Sequence, residues 1–127
     1  MVLPADTASV VLVIGRVLLG GLYVSGGVHH FFELTPLTGA MRARGVPAPR
    51  LALLAGSVFQ TVAGLLVMLG LYVTWAALGL VVFTIVASVI FLSFWKLQGD
   101  ARTASIRALQ TNVAIIGGLL IAAATAG

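Results

Sequence analysis

Four long apolar runs, separated by short polar segments, make up most of the chain. They cover residues 7–32, 51–71, 76–95 and 108–126. A helix needs about 20 residues to cross the ~30 Å hydrocarbon core of a bilayer, and every run is close to or above that length. We therefore predict an all-α fold, an integral membrane bundle of four antiparallel transmembrane helices.

The segments between the runs predict how the helices connect. Residues 72–75 form a very short uncharged turn, so the second and third helices should be antiparallel neighbours. The first linker, 33–50, is long enough for a short interfacial helix over 37–44 that ends at Gly45. No segment is long enough for a soluble domain, and we expect a single transmembrane domain over 1–127.

Composition supports a membrane location. Hydrophobic residues make up 61% of the chain and charged residues 8%, whereas soluble domains carry about 25% charged residues. There is no cysteine, which excludes disulfides, thiolate catalysis and cysteine-bound iron–sulfur clusters within this chain. The N-terminus lacks a basic region and a cleavage site, so we expect the first run to be retained rather than removed as a signal peptide.

The cations predict orientation. Outside the first run, lysine and arginine fall in the first and third connections: Arg42, Arg44, Arg50, Lys96, Arg102 and Arg107. The middle connection and both tails have none. By the positive-inside rule both basic connections are cytoplasmic and both termini lie on the outer side. The net charge of +4 then suits anionic lipid, and we expect no nucleic acid partner.

Arg16 is the exception, because it lies inside the first run. Such an arginine costs between about 2.5 and 10 kcal/mol or more unless it faces a partner or a wet cavity. Gln60 lies at a similar depth in the second run, so the two side chains could meet near the midplane, and no carboxylate lies at that depth. Two interpretations stay open. Arg16 binds a ligand, a lipid or another subunit, or it is satisfied internally or snorkels to the headgroups. Small and polar residues share its helical stripe: Gly20, Tyr23, Gly27 and His30.

A second polar cluster ends the first run. Glu33 follows His29 by four residues and His30 by three, so its carboxylate can orient either imidazole. Adjacent histidines point about 100° apart, and only one should face the bundle. With Lys96 and Asn112 at similar depth, these residues predict a proton-exchanging pocket suited to a quinone head group; the alternative is ordinary interfacial polarity.

Other cofactors are not expected. Haem ligation needs histidines on two facing helices, and two adjacent histidines with one glutamate have poor geometry for a metal. Tyr72, Trp75 and Trp95 lie at the ends of runs and suit an aromatic belt. Trp95, beside Lys96, could instead stack on a ring ligand. We expect no intrinsic cofactor, with quinone as the candidate ligand, and assign no catalytic residue.

Five segments together resemble the DoxX family, in order and over nearly the whole chain. They are RVLLGGLY from Arg16, GVHHFF at 27–32, GVPAP from Gly45, FWK at 94–96 and NVAIIGGLL from Asn112. The resemblance implies a small four-helix protein of the bacterial cytoplasmic (inner) membrane. The family is named after a subunit associated with thiosulfate:quinone oxidoreduction, and other members are described as membrane anchors or partners in redox and thiol-stress complexes. Family members often carry a histidine where this chain has Leu92 and a lysine where it has Thr111.

Two function hypotheses follow. In the first, the chain is a DoxX-like subunit that binds quinone and acts with a partner carrying the electron-transfer centre; as an enzyme it would be a non-autonomous subunit of a quinone-linked oxidoreductase. In the second, it is a structural or assembly subunit without catalysis, either a homo-oligomer or an accessory helix bundle of a larger membrane complex. The candidate residues for binding quinone, lipid or a partner are Arg16, Tyr23, His29, His30, Glu33, Gln60, Trp95, Lys96 and Asn112.

Overall fold

The computed structural model describes residues 4–92 and 96–125, which contain five helices and no strand. The helices are α1 (Ala5–Phe32), α2 (Leu34–Ala43), α3 (Pro49–Leu69), α4 (Val73–Phe91) and α5 (Gly99–Thr125). All except α2 are long and apolar enough to cross a membrane. The predicted all-helical membrane bundle with four spanning helices is confirmed.

Proline and glycine set the ends of α3. Pro49 lies in its first turn, where a missing N–H costs nothing. Gly70 follows its last turn in the left-handed conformation, with a φ of 76°. The Leu71 N–H closes this turn by donating to the Leu66 carbonyl at 2.9 Å. The turn between α3 and α4 therefore covers residues 70–72. The prediction of 72–75 is wrong at both ends, because the left-handed Gly70 ends α3 before Leu71 and α4 already begins at Val73.

The other helices begin before the positions predicted from the apolar runs. A short helix is present in the first linker as α2, starting three residues before the predicted 37–44; its interfacial position stays a prediction. The last helix begins at Gly99 instead of 108, since the polar segment before the run is also helical. An apolar run marks the part of a helix suited to lipid, not the whole helix. α4 ends at Phe91, and residues 93–95 of the predicted third helix lie outside the described residues.

The spanning helices form a ring in which chain neighbours pack antiparallel. α1 packs on α3, α3 on α4 and α4 on α5, while α5 returns to α1 through a looser contact. One end of the bundle, which we call the basic end, holds Arg42, Arg44, Arg50 and Lys96, in or next to the segments that join α1 to α3 and α4 to α5. The turn at residues 70–72 defines the opposite end, the turn end. Which end faces the cytoplasm stays a prediction.

Glycines bring the backbones of α1 and α3 into contact. A Cβ added at Gly64 would lie 2.8 Å from the Gly20 carbonyl oxygen and 3.1 Å from the Tyr23 Cβ. One added at Gly27 would lie 3.1 Å from the Ser57 carbonyl oxygen and would clash with the Thr61 hydroxyl. Without a hydrophobic driving force between helices in lipid, such close van der Waals contact is a main source of their association.

The core lies where all four spanning helices meet. Val67, Ala77, Leu80 and Leu119 are each 0% exposed. Large apolar side chains are exposed on the outer surface, as expected of a surface that faces lipid. The bundle thus has a small, well-packed interior and an apolar exterior.

Replacing Gly20 by alanine should destabilise the bundle. The new methyl group would press on the Gly64 carbonyl and on Met68, and overpacking of this kind costs about 1–3 kcal/mol. The matched control is Gly21→Ala, one residue further along α1, where an added Cβ meets nothing within 4 Å. Thermal unfolding in detergent, followed by circular dichroism, should show a lower midpoint for Gly20→Ala alone. Equal midpoints for the two variants would contradict this packing.

Candidate functional site

A cavity of about 310 Å³ lies at the basic end, between α1, α2, α3 and α4. Its walls are almost entirely apolar, and the two polar side chains among them belong to His30 and Ser57. We call it the basic-end cavity. It is lined by His30, Met41, Val46, Ala52, Leu53, Gly56, Ser57, Phe83, Val86, Ala87, Ile90 and Phe91.

His30 reaches the cavity because Gly27, one turn earlier on the same face of α1, lets the helix approach α3. The His30 Nδ1 lies 3.1 Å from the Ser57 Oγ, and Ser57 is only 1% exposed. This pair places one imidazole and one hydroxyl against an apolar chamber. Such a combination can orient a ring ligand by hydrogen bonds.

His29 points the other way. Its Nε2 lies 3.1 Å from the Glu33 Oε1, and the side chains are 64% and 47% exposed. The polar cluster predicted at the end of α1 is therefore divided, with His30 facing the bundle and the His29–Glu33 pair on the surface. This division follows from the 100° step between adjacent helical residues.

The short helix α2 covers the cavity. Met41 is its buried residue and forms part of the cavity wall. Arg44 follows the helix, and its guanidinium carbon lies 5.7 Å from the centre of the Phe91 ring, which is within cation–π range. This contact holds the end of α2 against α4. Phe83 and Phe91 could not be predicted as part of the site, since an aromatic residue in an apolar run carries no signal of its own.

Tyr23 and Asn112 belong to a separate chain of hydrogen bonds through the bundle. The Tyr23 hydroxyl lies 2.5 Å from the Thr84 Oγ1. The Ser88 hydroxyl donates to the Thr84 carbonyl at 2.7 Å, and the Asn112 amide donates to the Ser88 Oγ at 3.0 Å. These bonds connect α1, α4 and α5, and neither Tyr23 nor Asn112 lines the basic-end cavity.

Gln60 and Arg16 do not meet, and the prediction that they could is wrong. The Gln60 amide donates to the Tyr23 carbonyl at 2.9 Å. The Arg16 guanidinium lies instead at the end of α3, where its Nη2 would be 3.4 Å from a Cβ added at Gly70. Ten residues of helix, about 15 Å, separate Gln60 from that point. Depth counted from the end of the run misplaces Arg16, because α1 extends beyond the end of α3.

The remaining predicted residues do not join the cavity. Lys96 is exposed and is not part of the cavity wall, so the predicted pocket combining it with His30 and Asn112 is not assembled. Trp95 lies outside the described residues. Within residues 4–92 and 96–125, no three histidine, aspartate or glutamate side chains are grouped as metal ligands.

Removing the Tyr23 hydroxyl should weaken the bundle modestly. Hydrogen bonds between transmembrane helices contribute about 0.6 kcal/mol on average and up to about 1.7, so Tyr23→Phe should lower the unfolding free energy by an amount in this range. The matched control is Tyr72→Phe at the turn end, where the side chain is 76% exposed. Titration with a denaturing detergent measures both. A Tyr23→Phe variant as stable as Tyr72→Phe would show that the chain of bonds contributes nothing.

Comparisons with known proteins identify the family. The family model described as DoxX matches residues 11–93. The Inner membrane protein YphA of Escherichia coli (strain K12) is 27% identical over 116 residues, which cover 91% of this chain and 83% of that protein. No solved structure shows a significant match. The relative's inner-membrane name and the four spanning helices confirm the expected membrane location. The chain belongs to the DoxX family of membrane proteins.

Proposed function

We propose that this chain is a quinone-binding membrane subunit, and that the quinone head group occupies the basic-end cavity. The observation that carries the proposal is an apolar chamber of about 310 Å³ with one hydrogen-bonding pair in its wall. Ligand pockets usually measure roughly 300–1,000 Å³ and have few, well-placed polar groups. A quinone head group is a flat, largely apolar ring with two carbonyl acceptors, and it fits this description.

The His30–Ser57 pair has one hydrogen-bond donor that remains available to a ligand. A neutral imidazole has one N–H and a serine has one O–H, and the bond between the Nδ1 and the Oγ uses only one of these hydrogens. The other is free to donate to a carbonyl oxygen of the ligand. The rings of Phe83 and Phe91 lie in the same wall and offer aromatic contact for the ring face.

Under this proposal the chain binds quinone and a partner supplies the electrons. Reduction of a quinone to a quinol takes up two electrons and two protons. We assign the electron-transfer centre to a second protein, because this chain has no cysteine and its described side chains include no grouped metal ligands. His30 lies where it can hold a proton at the quinone oxygen. As an enzyme, the chain would then be a non-autonomous subunit of a quinone-linked oxidoreductase.

A structural or assembly role is the second candidate, and one feature favours it. Residues 5–15 of α1 continue past Arg16, beyond the end of α3, for about 16 Å. The apolar side chains of this extension, Val10, Val11, Val13 and Ile14, are exposed. Another copy of the chain or a larger complex could cover them. Under this alternative the protein would fold normally and bind no quinone.

Photolabelling with an azidoquinone tests the proposal, with ubiquinone-1 as the competitor. We expect the label on peptides from the cavity wall. His30→Ala should raise the ubiquinone-1 concentration needed for half-protection by about three- to tenfold, because one neutral hydrogen bond is lost. His29→Ala is the matched control, since this neighbouring side chain points to the surface.

The two histidine variants decide the outcome together. Loss of protection in His30→Ala, with protection unchanged in His29→Ala, supports a quinone at the cavity. Equal protection in both variants, or label confined to peptides outside the cavity wall, would contradict the proposal. Ser57→Ala offers an independent check, because it removes the partner of His30 and leaves the imidazole in place.

A further inference from the structure

We infer a second binding site, for a phospholipid, in the groove between α1 and α5 near the turn end, with the lipid phosphate bound by Arg16. The groove has a volume of about 480 Å³. It is distinct from the basic-end cavity, since Arg16 and His30 are fourteen residues, about 21 Å, apart along α1. The inference does not depend on the proposed quinone site.

The groove has the shape and polarity of an acyl-chain site. Leu12, Leu19 and Leu22 line it from α1, and Gly118 and Ile121 line it from α5. The two helices approach each other at Gly118, where an added Cβ would lie 3.9 Å from the Leu19 side chain. α1 and α5 are both able to span a membrane, so in a bilayer this groove is surrounded by acyl chains.

Arg16 is the charged residue of the groove, and its hydrogen bonding is incomplete. Its Nε is buried and has no hydrogen-bond partner among residues 4–92 and 96–125. The guanidinium lies beside Gly70, at the C-terminal end of α3, where the helix dipole has its partial negative charge. That partial charge attracts the cation. A guanidinium has five N–H donors in a planar fork, a geometry that suits an anion such as a phosphate.

No acidic side chain of this protein can supply the missing acceptor. Asp6 lies ten residues from Arg16 along α1, about 15 Å, and Glu33 lies seventeen residues away in the other direction, about 25 Å. Asp100 is in the first turn of α5, at the basic end. These three are the acidic residues of the chain. A second copy inserted in the same orientation presents them at the same levels, so a symmetric oligomer does not bring a carboxylate to Arg16 either.

The membrane itself then provides the counter-ion. A phospholipid combines an anionic phosphate, which a guanidinium can bind through two parallel hydrogen bonds, with acyl chains that match the apolar walls. A quinone lacks the charge, and free phosphate lacks the apolar part. Charge complementarity and the apolar lining together point to a phospholipid as the occupant.

Native mass spectrometry of the detergent-solubilised protein tests this inference. The probes are palmitoyl-oleoyl phosphatidylglycerol and the diacylglycerol with the same two chains. We expect one retained phosphatidylglycerol per chain and no retained diacylglycerol. Arg16→Gln should weaken phosphatidylglycerol binding by roughly ten- to hundredfold, the effect of losing charged hydrogen bonds.

Two further variants make the result decisive. Arg50→Gln removes an exposed cation at the basic end and should retain the bound phosphatidylglycerol. Gly118→Phe fills the groove without changing the charge and should lose it, which keeps the test valid if Arg16→Gln does not fold. The inference is overturned if diacylglycerol binds as well as phosphatidylglycerol, or if the folded Arg16→Gln or Gly118→Phe protein retains wild-type affinity.

Discussion

The backbone contact between α1 and α3 determines the position of most functional groups in this protein. Gly20 faces Gly64, and Gly27 faces the turn of α3 that contains Ser57 and Thr61. Because two rigid helices in close contact at two points have only one register, every other contact between them follows. His30 meets Ser57, the Gln60 amide meets the Tyr23 carbonyl, and the Arg16 guanidinium lies at the end of α3.

The rest of the bundle is held by weaker but complementary interactions. In lipid, apolar side chains gain little by contacting each other rather than acyl chains, so packing and interhelical hydrogen bonds provide the association energy. The bonds among Tyr23, Thr84, Ser88 and Asn112 connect α1 to α4 and α5. The Thr74 hydroxyl adds a bond to the Ala123 carbonyl at 2.8 Å. Both of the sites that we propose lie at the margins of this well-bonded centre, where the helices separate.

The sequence predicted the spanning helices, the short helix of the first linker and the divergence of the two histidines. These features depend on run length and on the geometry of a single helix, which are local properties. The partners of Arg16 and Gln60 could not be predicted in the same way. Counting depth from the ends of the runs assumes that neighbouring helices begin at the same level, whereas α1 extends about 16 Å beyond α3. The cavity wall was missed for a related reason, because Phe83 and Phe91 gain their role only from the register of α4 against α3.

Thiol cross-linking would test the register of α1 on α3 most directly, and the lack of native cysteine leaves no background reaction. One double variant combines His30→Cys with Ser57→Cys, and the other combines Arg16→Cys with Gln60→Cys. With a short bifunctional thiol reagent in native membranes, the register described here predicts a cross-link in the first double variant and none in the second. A cross-link between positions 16 and 60, with none between 30 and 57, would contradict it and would remove the basis of both proposed sites.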